Sequence, residues 1–530
     1  LYNTKLYQLA ARGLLFFVFV FICLTFRQHG ISNDEEVQHV YGRLLLKFYE
    51  SGFHDQSAFH YKNLYLYGGF FDLIAASLER LNLLWLWDLR HLLTSLFGLL
   101  GLVAVYRISK EIEGQRTGFF AVLLLTLTAA WSGAMFTHTK DIPFATCMAW
   151  ALYYSIIACK ALPNIRLRTS LKIGIAIGCA LGMRIGGGFS VIYLLLILAY
   201  TGLTLHANIQ SKLQFWLKSI MHLQPAAILA FVLMAIFWPW GVMEPSHPLE
   251  AIKAFSYFSF NMLTIDDGRV MSIGDVPRTY LLSYLLVRLP EVFLIGLIGF
   301  FSFSFLKSKQ AIAPTSDQQK IALAGIVIAF AFPMLFVILT KPALYNGVRH
   351  FTFILPPLAV LAGYGIHLTL AYFQKSIKLQ IIYIIICLLL IAMTITKLVQ
   401  LHPYEYIYYN ELAGDSNDAE KHWESDYWSS SLRAASATLM HLSLPKSDKP
   451  YLVAVCAENV QGSAYLDDRF QITKNWNAAD FYMSTTNMHC DQVLQGEIIG
   501  VVKRIDTTLA VVKDRRKLVG EARNATPAPN

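Results

Sequence analysis

Apolar residues in this chain gather into eleven runs, at 14–26, 92–106, 118–136, 144–159, 171–183, 189–205, 225–240, 292–306, 321–340, 351–372 and 379–395. The longer ones approach the roughly 20 residues needed to cross a ~30 Å hydrocarbon core. Backbone polar groups in lipid must pair within their own segment, so the runs are expected to be transmembrane helices. The pattern changes after Leu401. A helical stretch near 430–442 is followed by β-rich runs at 451–457, 480–484, 498–502 and 509–512, the signature of a small α/β domain. The tail after Gly520 is rich in Pro, Ala and Asn and is expected to be disordered.

Lys and Arg give the helices an orientation. Lys5 and Arg12 precede the first run, and alternate loops carry Arg107, Lys110 and Arg116; Lys160, Arg166, Arg168 and Lys172; Lys212 and Lys218; Lys307 and Lys309; Lys375 and Lys378. The positive-inside rule puts these loops and the amino terminus in the cytoplasm. An odd number of spans then leaves the carboxyl-terminal region outside. The expected division is a membrane unit over 1–400, with outer loops 27–91 and 241–291, and an extracytoplasmic domain over 401–530. The first run reads as a span and not as a cleavable signal, since no small-residue cleavage pattern follows it before Asp34.

Composition agrees with a polytopic membrane protein: 55% of the 530 residues are hydrophobic and 15% charged. The net charge of +9 sits largely in short cytoplasmic loops facing anionic lipid, so it reports topology and implies no nucleic-acid partner. Cys23, Cys147, Cys159, Cys179 and Cys387 fall in apolar runs and read as small hydrophobes. Cys456 and Cys490 lie in the outer region, where a disulfide is permitted.

Two patterns concern packing. Val37, Val40, Tyr41, Leu44, Leu45 and Phe48 recur at helical spacing over 36–49, as expected for a helix on the membrane surface or for a packed connector. Gly174, Gly178 and Gly182 recur every fourth residue, which lets a neighbouring helix approach closely. Tyr404, Tyr406, Tyr408 and Tyr409 follow the last run, where interfacial anchoring accounts for them.

Candidate chemistry lies at the outer ends of the runs. Asp34, Glu35 and Asp141 are acids there, and Lys140, Arg184, Arg349 and His350 are basic residues on the face where the positive-inside rule thins them out. A bound anion, such as a lipid-linked phosphate, gives such cations a purpose. Ser32 and Glu35 also fit a capping box. Functionally, a carboxylate at a partly dehydrated surface can have its pKa raised and serve as a general base. Pro143 and Asp141 suit a helix start, which leaves Lys140 unexplained. There is no His-Glu-x-x-His pair, no Walker loop and no zinc spacing among the cysteines.

At these residues the chain resembles the GT-C glycosyltransferases, specifically glycosyltransferase family 39, the polyprenyl-phosphate-sugar-dependent protein mannosyltransferases, and their bacterial relatives that modify lipid A. The resemblance is carried by Asn33-Asp34-Glu35, Lys140-Asp141-Ile142-Pro143, Arg184-Ile185-Gly186, Asp275-Val276-Pro277-Arg278 with Tyr280, Tyr345-Asn346-Gly347-Val348-Arg349-His350 and His402-Pro403-Tyr404-Glu405-Tyr406, in the family's order. It implies a GT-C helical fold and an enzyme of the bacterial inner membrane, with a periplasmic active site and carboxyl-terminal domain. Such an enzyme takes a sugar from a polyprenyl-monophosphate donor, with inversion, and gives it to a protein, lipid or glycan hydroxyl. By resemblance Asp34 is the catalytic base, Glu35 and Asp141 are supporting acids, and Lys140, Arg184, Arg349 and His350 bind the donor phosphate. No cofactor is required by this scheme, although a carboxylate and a histidine could recruit a divalent metal. His138 and Asn346 stand where bacterial relatives often carry Asn and Asp.

Two other classes compete. A lipid-phosphate flippase would share the many spans and edge charges, but the charged motifs gather on one face and no symmetric broken-helix pair is evident. A scaffold displaying an outer domain would leave the acids and cations without a role.

Overall fold

The computed structural model describes residues 4–204, 209–256, 262–305, 316–414 and 416–525. Lys307 and Lys309, the residues at which the sixth and eighth expected runs end (Leu205 and Leu306), and positions 526–530 of the tail lie outside them. Every expected run coincides with helix. Among the described residues eight helices are long and apolar enough to cross a membrane, and two bent pairs bring the number to ten. The eleventh, Leu167–Leu181, has 15 residues and so spans only about 22 Å.

Both bends have local causes. Gln115–Leu127 and Ala129–Thr137 meet at 70° because Thr128 takes an extended backbone. Tyr280–Arg288 and Glu291–Phe303 meet at 116°, where Pro290 forces Leu289 out of the helical region. The first bend turns the chain directly into the loop holding His138, Thr139 and Lys140.

Leu355–Tyr372 is buried along most of its length at the centre of the bundle. Small residues permit this: a Cβ on Gly365 would lie 1.8 Å from the Gly296 carbonyl oxygen, and one on Gly363 would lie 2.6 Å from the Ala121 nitrogen. Arg349 and His350 open the short 3₁₀ turn leading into this helix, so they stand at the centre of one face. Gly174, Gly178 and Gly182 pack against Ala226, Ala230 and Phe237, as their spacing predicts. Glu35–Glu50 is helical, and Tyr41, Leu45 and Phe48 bury themselves against Trp238 and Trp240, so its apolar stripe meets protein.

Beyond the last span, β3 (Tyr451–Cys456), β4 (Phe470–Ile472), β5 (Phe481–Thr485), β6 (Glu497–Arg504) and β7 (Thr507–Asp514) form a sheet in the order β4-β3-β5-β7-β6. β3 runs parallel to β4 and β5, and β7 pairs antiparallel with β5 and β6. Helix Leu432–Met440 covers the sheet, and Cys456 is bonded to Cys490. Arg516–Ala525 is a helix, with Val519 buried, and it extends into the first five residues of the tail expected to be disordered. A two-stranded hairpin, β1 (Leu263–Asp266) with β2 (Arg269–Ser272), was not anticipated, although Asp267-Gly268 carries its signal. Both residues have positive φ, as a two-residue hairpin turn requires.

Candidate active site

Four sequence motifs meet at the helix ends opposite the basic loops. Arg349 joins them: its Nη2 donates to Asp34 Oδ2 at 2.7 Å and its Nε to Asp141 Oδ2 at 3.1 Å. The other oxygen of Asp141 accepts from Arg184 Nη2 at 2.5 Å. The result is one chain of charges, Asp34, Arg349, Asp141 and Arg184, assembled from residues up to 315 positions apart. Asp141 and Arg349 are buried, whereas the Asp34 side chain is 46% exposed.

Lys140 differs from the two arginines. Among the described residues no carboxylate lies within 4.0 Å of its ammonium, which faces the Tyr67 ring at 4.2 Å from the centroid. Burial pushes its pKa down to about 8, against the pull of Asp72 and with help from the Arg184 charge. Three cations therefore face the two carboxylates Asp34 and Asp141, and the surplus positive charge belongs to Lys140.

Asp34 sits at the N-cap of Glu35–Glu50 with φ 71°, a left-handed conformation that costs most L-residues about 1–2 kcal/mol but that Asp tolerates. The loop around it is held tightly. Glu35 is fully buried and accepts from the Ser32 N–H at 2.7 Å, with His91 Nε2 at 3.2 Å. Glu35 thus supplies one arm of the anticipated capping box; the Ser32 hydroxyl instead donates onward to the Thr137 carbonyl at 2.9 Å. Glu35 fixes the backbone before Asp34, and its carboxylate is held by Ser32, His91 and Arg90.

Arg349 is positioned by the turn before it. Gly347 has φ 67° and lies against Tyr284, where a Cβ would come within 2.7 Å of the ring, and its N–H donates to the Tyr280 hydroxyl at 3.1 Å. Tyr280 is thereby the useful member of its motif. Arg278 caps the helix ending at Thr340, donating to the Ile338 carbonyl and, at 3.1 Å, to that of Leu339. His350 lies 4.5 Å from the Tyr345 ring centroid, beside the charge network and unbonded to it, and among the described residues its buried Nδ1 has no partner. The His402 motif ties helices together: His402 bonds Glu405 at 2.5 Å and Gln28 at 2.6 Å, outside the site.

Sequence reasoning missed Tyr67 and Trp428. Tyr67 precedes two glycines docked on helix ends: a Cβ on Gly68 would strike the Gly182 carbonyl oxygen at 2.0 Å, and Gly69 N–H donates to Phe237 at 2.7 Å. That Gly-Gly pair was the available signal. Trp428, beyond the last span, places its ring 4.0 Å from the Arg349 guanidinium carbon. Among the described residues no group of three or more His, Cys, Asp or Glu is disposed to hold a metal; both Asp141 oxygens and Asp34 Oδ2 accept from guanidinium groups.

Comparison with known proteins gives a family match over part of the chain. Residues 87–240, which include Lys140, Asp141 and Arg184, match the family model described as dolichyl-phosphate-mannose-protein mannosyltransferase. No curated protein matches the chain in sequence. Among solved structures it is similar to ArnT from Cupriavidus metallidurans bound to undecaprenyl phosphate, with TM-score 0.51 and 13% identity over 94% of this chain and 98% of that one. The apo state of that ArnT gives TM-score 0.49 at 14% identity, over 95% and 98%. The archaeal oligosaccharyltransferase AglB from Archaeoglobus fulgidus gives 0.43 at 12% identity, over 89% and 69%. At 13% identity the likeness to ArnT is one of fold, and it extends over nearly the whole of both chains. Family match and shared fold point the same way: residues 87–240, 154 of the 530, match the dolichyl-phosphate-mannose-protein mannosyltransferase model, and over nearly its whole length the chain has a fold like that of ArnT.

Proposed function

We propose that the chain moves a sugar from a polyprenyl-monophosphate donor to a hydroxyl on a protein, lipid or glycan acceptor, with inversion at the anomeric carbon. The reaction face is the one away from the cytoplasm, since the Lys- and Arg-rich loops lie at the other helix ends. In a bacterium that is the periplasmic face of the inner membrane, with residues 401–530 on the same side. The observation that carries the reading is the junction of a half-exposed carboxylate, Asp34, with the Arg349, Asp141 and Arg184 network beside Lys140, which has no ion pair among the described residues.

The acceptor oxygen attacks the anomeric carbon as the bond from that carbon to the phosphate oxygen breaks. The hydroxyl proton passes to Asp34, and the lipid phosphate leaves with the bonding electrons. Lys140, Arg184 and Arg349 meet the charge that builds on the phosphate. A preplaced cation in such a dry site contributes about 3–4 kcal/mol to the transition state. A phosphate that draws on Arg349 also takes a donor from Asp34 Oδ2, leaving that oxygen a better proton acceptor at the moment the donor is bound.

Mass spectrometry of products after incubation with defined polyprenyl-phosphate sugars tests the reaction. Release of free polyprenyl phosphate in step with a new glycosidic bond is expected. Movement of labelled polyprenyl phosphate across vesicles with no such bond formed would instead establish a flippase.

Lys140 gives the pH dependence a sign. Its ammonium loses its proton as pH rises through about 8, so kcat/KM for the donor, which reports groups of the free enzyme, is expected to fall there. Lys140→Arg, always protonated, removes that alkaline fall. An identical alkaline limb in the variant would separate Lys140 from donor binding.

A further inference from the structure

The charge network is covered by a segment from beyond the last span, and its contacts are specific. The geometry points to Trp428 as a positioning residue that holds Arg349 in the orientation needed for the donor phosphate, which makes the region after Leu401 part of the active assembly. The inference rests on the donor reading above.

Three sets of contacts converge on this residue. The Trp428 ring lies against the Arg349 guanidinium at 4.0 Å, while Nη2 and Nε of Arg349 reach Asp34 and Asp141. Its indole Nε1 donates to His138 Nε2 at 2.7 Å, two residues before Lys140. Its carbonyl accepts from the Asn33 N–H at 3.1 Å and from Gln461 Nε2 at 2.8 Å. Trp428 therefore touches the Arg349 motif, the Lys140 motif and the Asp34 loop at once.

The segment is built to hold this pose. Asp426, fully buried, accepts from the N–H groups of Ser430 and Ser431 at 3.1 and 2.9 Å and from the Tyr406 hydroxyl, closing a turn around Trp428. Gly30 packs on that turn, where a Cβ would meet the Ser430 oxygen at 2.1 Å. Asn33 Nδ2 donates to the Tyr427 carbonyl at 3.0 Å.

The protonation state of His138 follows from its partners. An indole N–H is a donor only, so His138 Nε2 must be a bare acceptor, shared with the Tyr427 hydroxyl at 2.8 Å. The ring proton then resides on Nδ1, 3.1 Å from Thr137 Oγ1. Burial, with the Arg349 charge nearby, drives the pKa of His138 down to about 3, so the contact persists across physiological pH. An Asn at this position would have a shorter side chain and could not bring an acceptor as far toward the indole. His138 and Trp428 are a matched pair in this chain.

The test uses the full chain in nanodiscs and a sugar-free polyprenyl monophosphate as a binding probe, so that it needs no transfer activity. Trp428→Leu is expected to weaken binding about tenfold, and Trp428→Phe, which keeps an aromatic face but loses the N–H, about threefold, as a desolvated cation–π contact implies. In an Arg349→Ala background neither substitution should weaken binding further, because its effect runs through the guanidinium. The same loss in that background would show that Trp428 acts through general folding and overturn the proposal, as would wild-type binding by Trp428→Leu. A wild-type chain that fails to bind the probe overturns the donor reading as well, so the two failures are distinguishable.

Discussion

Asp34→Asn is expected to lower turnover by about 10³-fold while leaving the fold and the affinity for the donor close to wild type. Asn is nearly isosteric with Asp and tolerates the left-handed backbone that Asp34 adopts at φ 71°. The Asp34 side chain makes no capping bond to the helix that begins at Glu35, so the substitution removes no cap. The Asn amide oxygen still accepts from Arg349 Nη2, so the link from the first outer loop to the central helix survives. What disappears is a site able to take the acceptor's proton. Single-turnover kinetics separate the two effects: the chemical step should slow while donor binding, measured directly, holds. Turnover retained in this variant would remove Asp34 as the base.

That expectation rests on a convergence only partly legible in the sequence. Helix positions followed from apolar length, and the face of the site followed from where Lys and Arg are scarce. Asp34, Lys140, Asp141, Arg184 and Arg349 could be recognised one by one because charge at that depth needs a reason. Their pairing could not be read, since which cation meets which carboxylate depends on how helices hundreds of residues apart cross. Lys140 and Arg349 look alike in sequence, yet one is left with an aromatic ring while the other bridges two acids.

The misses share a cause. Trp428 and Tyr67 lie in stretches rich in aromatic residues, where interfacial anchoring explains any one of them, so only coordinates single out the rings that lie against a cation. Local signals were sufficient where structure is local. Strands β3, β5, β6 and β7 appeared as apolar runs, whereas β4, with three residues, is too short to show a period. The helix Arg516–Ala525 was hidden by tail composition, and of its two large apolar residues only Val519 is buried, Leu518 being exposed.

Arg349→Ala should reduce kcat/KM for the donor by about 10²–10³-fold, the cost of losing one preorganised donor to developing charge. The loss should appear in both donor affinity and the chemical step, because the guanidinium both meets the phosphate and orients Asp34. Arg349→Lys is the sharper comparison. An ammonium restores the charge but not the planar fork whose Nη2 and Nε reach Asp34 and Asp141 from one side chain. It should therefore recover donor binding in good part while leaving the chemical step slow, since Asp34 is no longer held by the group that also holds Asp141. Thermal unfolding in detergent should change little in either variant. Removing one partner of a buried ion pair costs about 3–5 kcal/mol when a charge is left alone, but Asp141 retains Arg184 at 2.5 Å and Asp34 is half exposed to water. A split between binding and chemistry in Arg349→Lys, with stability preserved, identifies geometry as the contribution of the arginine. Full activity in Arg349→Lys would reduce that contribution to charge alone, and unchanged kinetics in Arg349→Ala would take the residue out of the site.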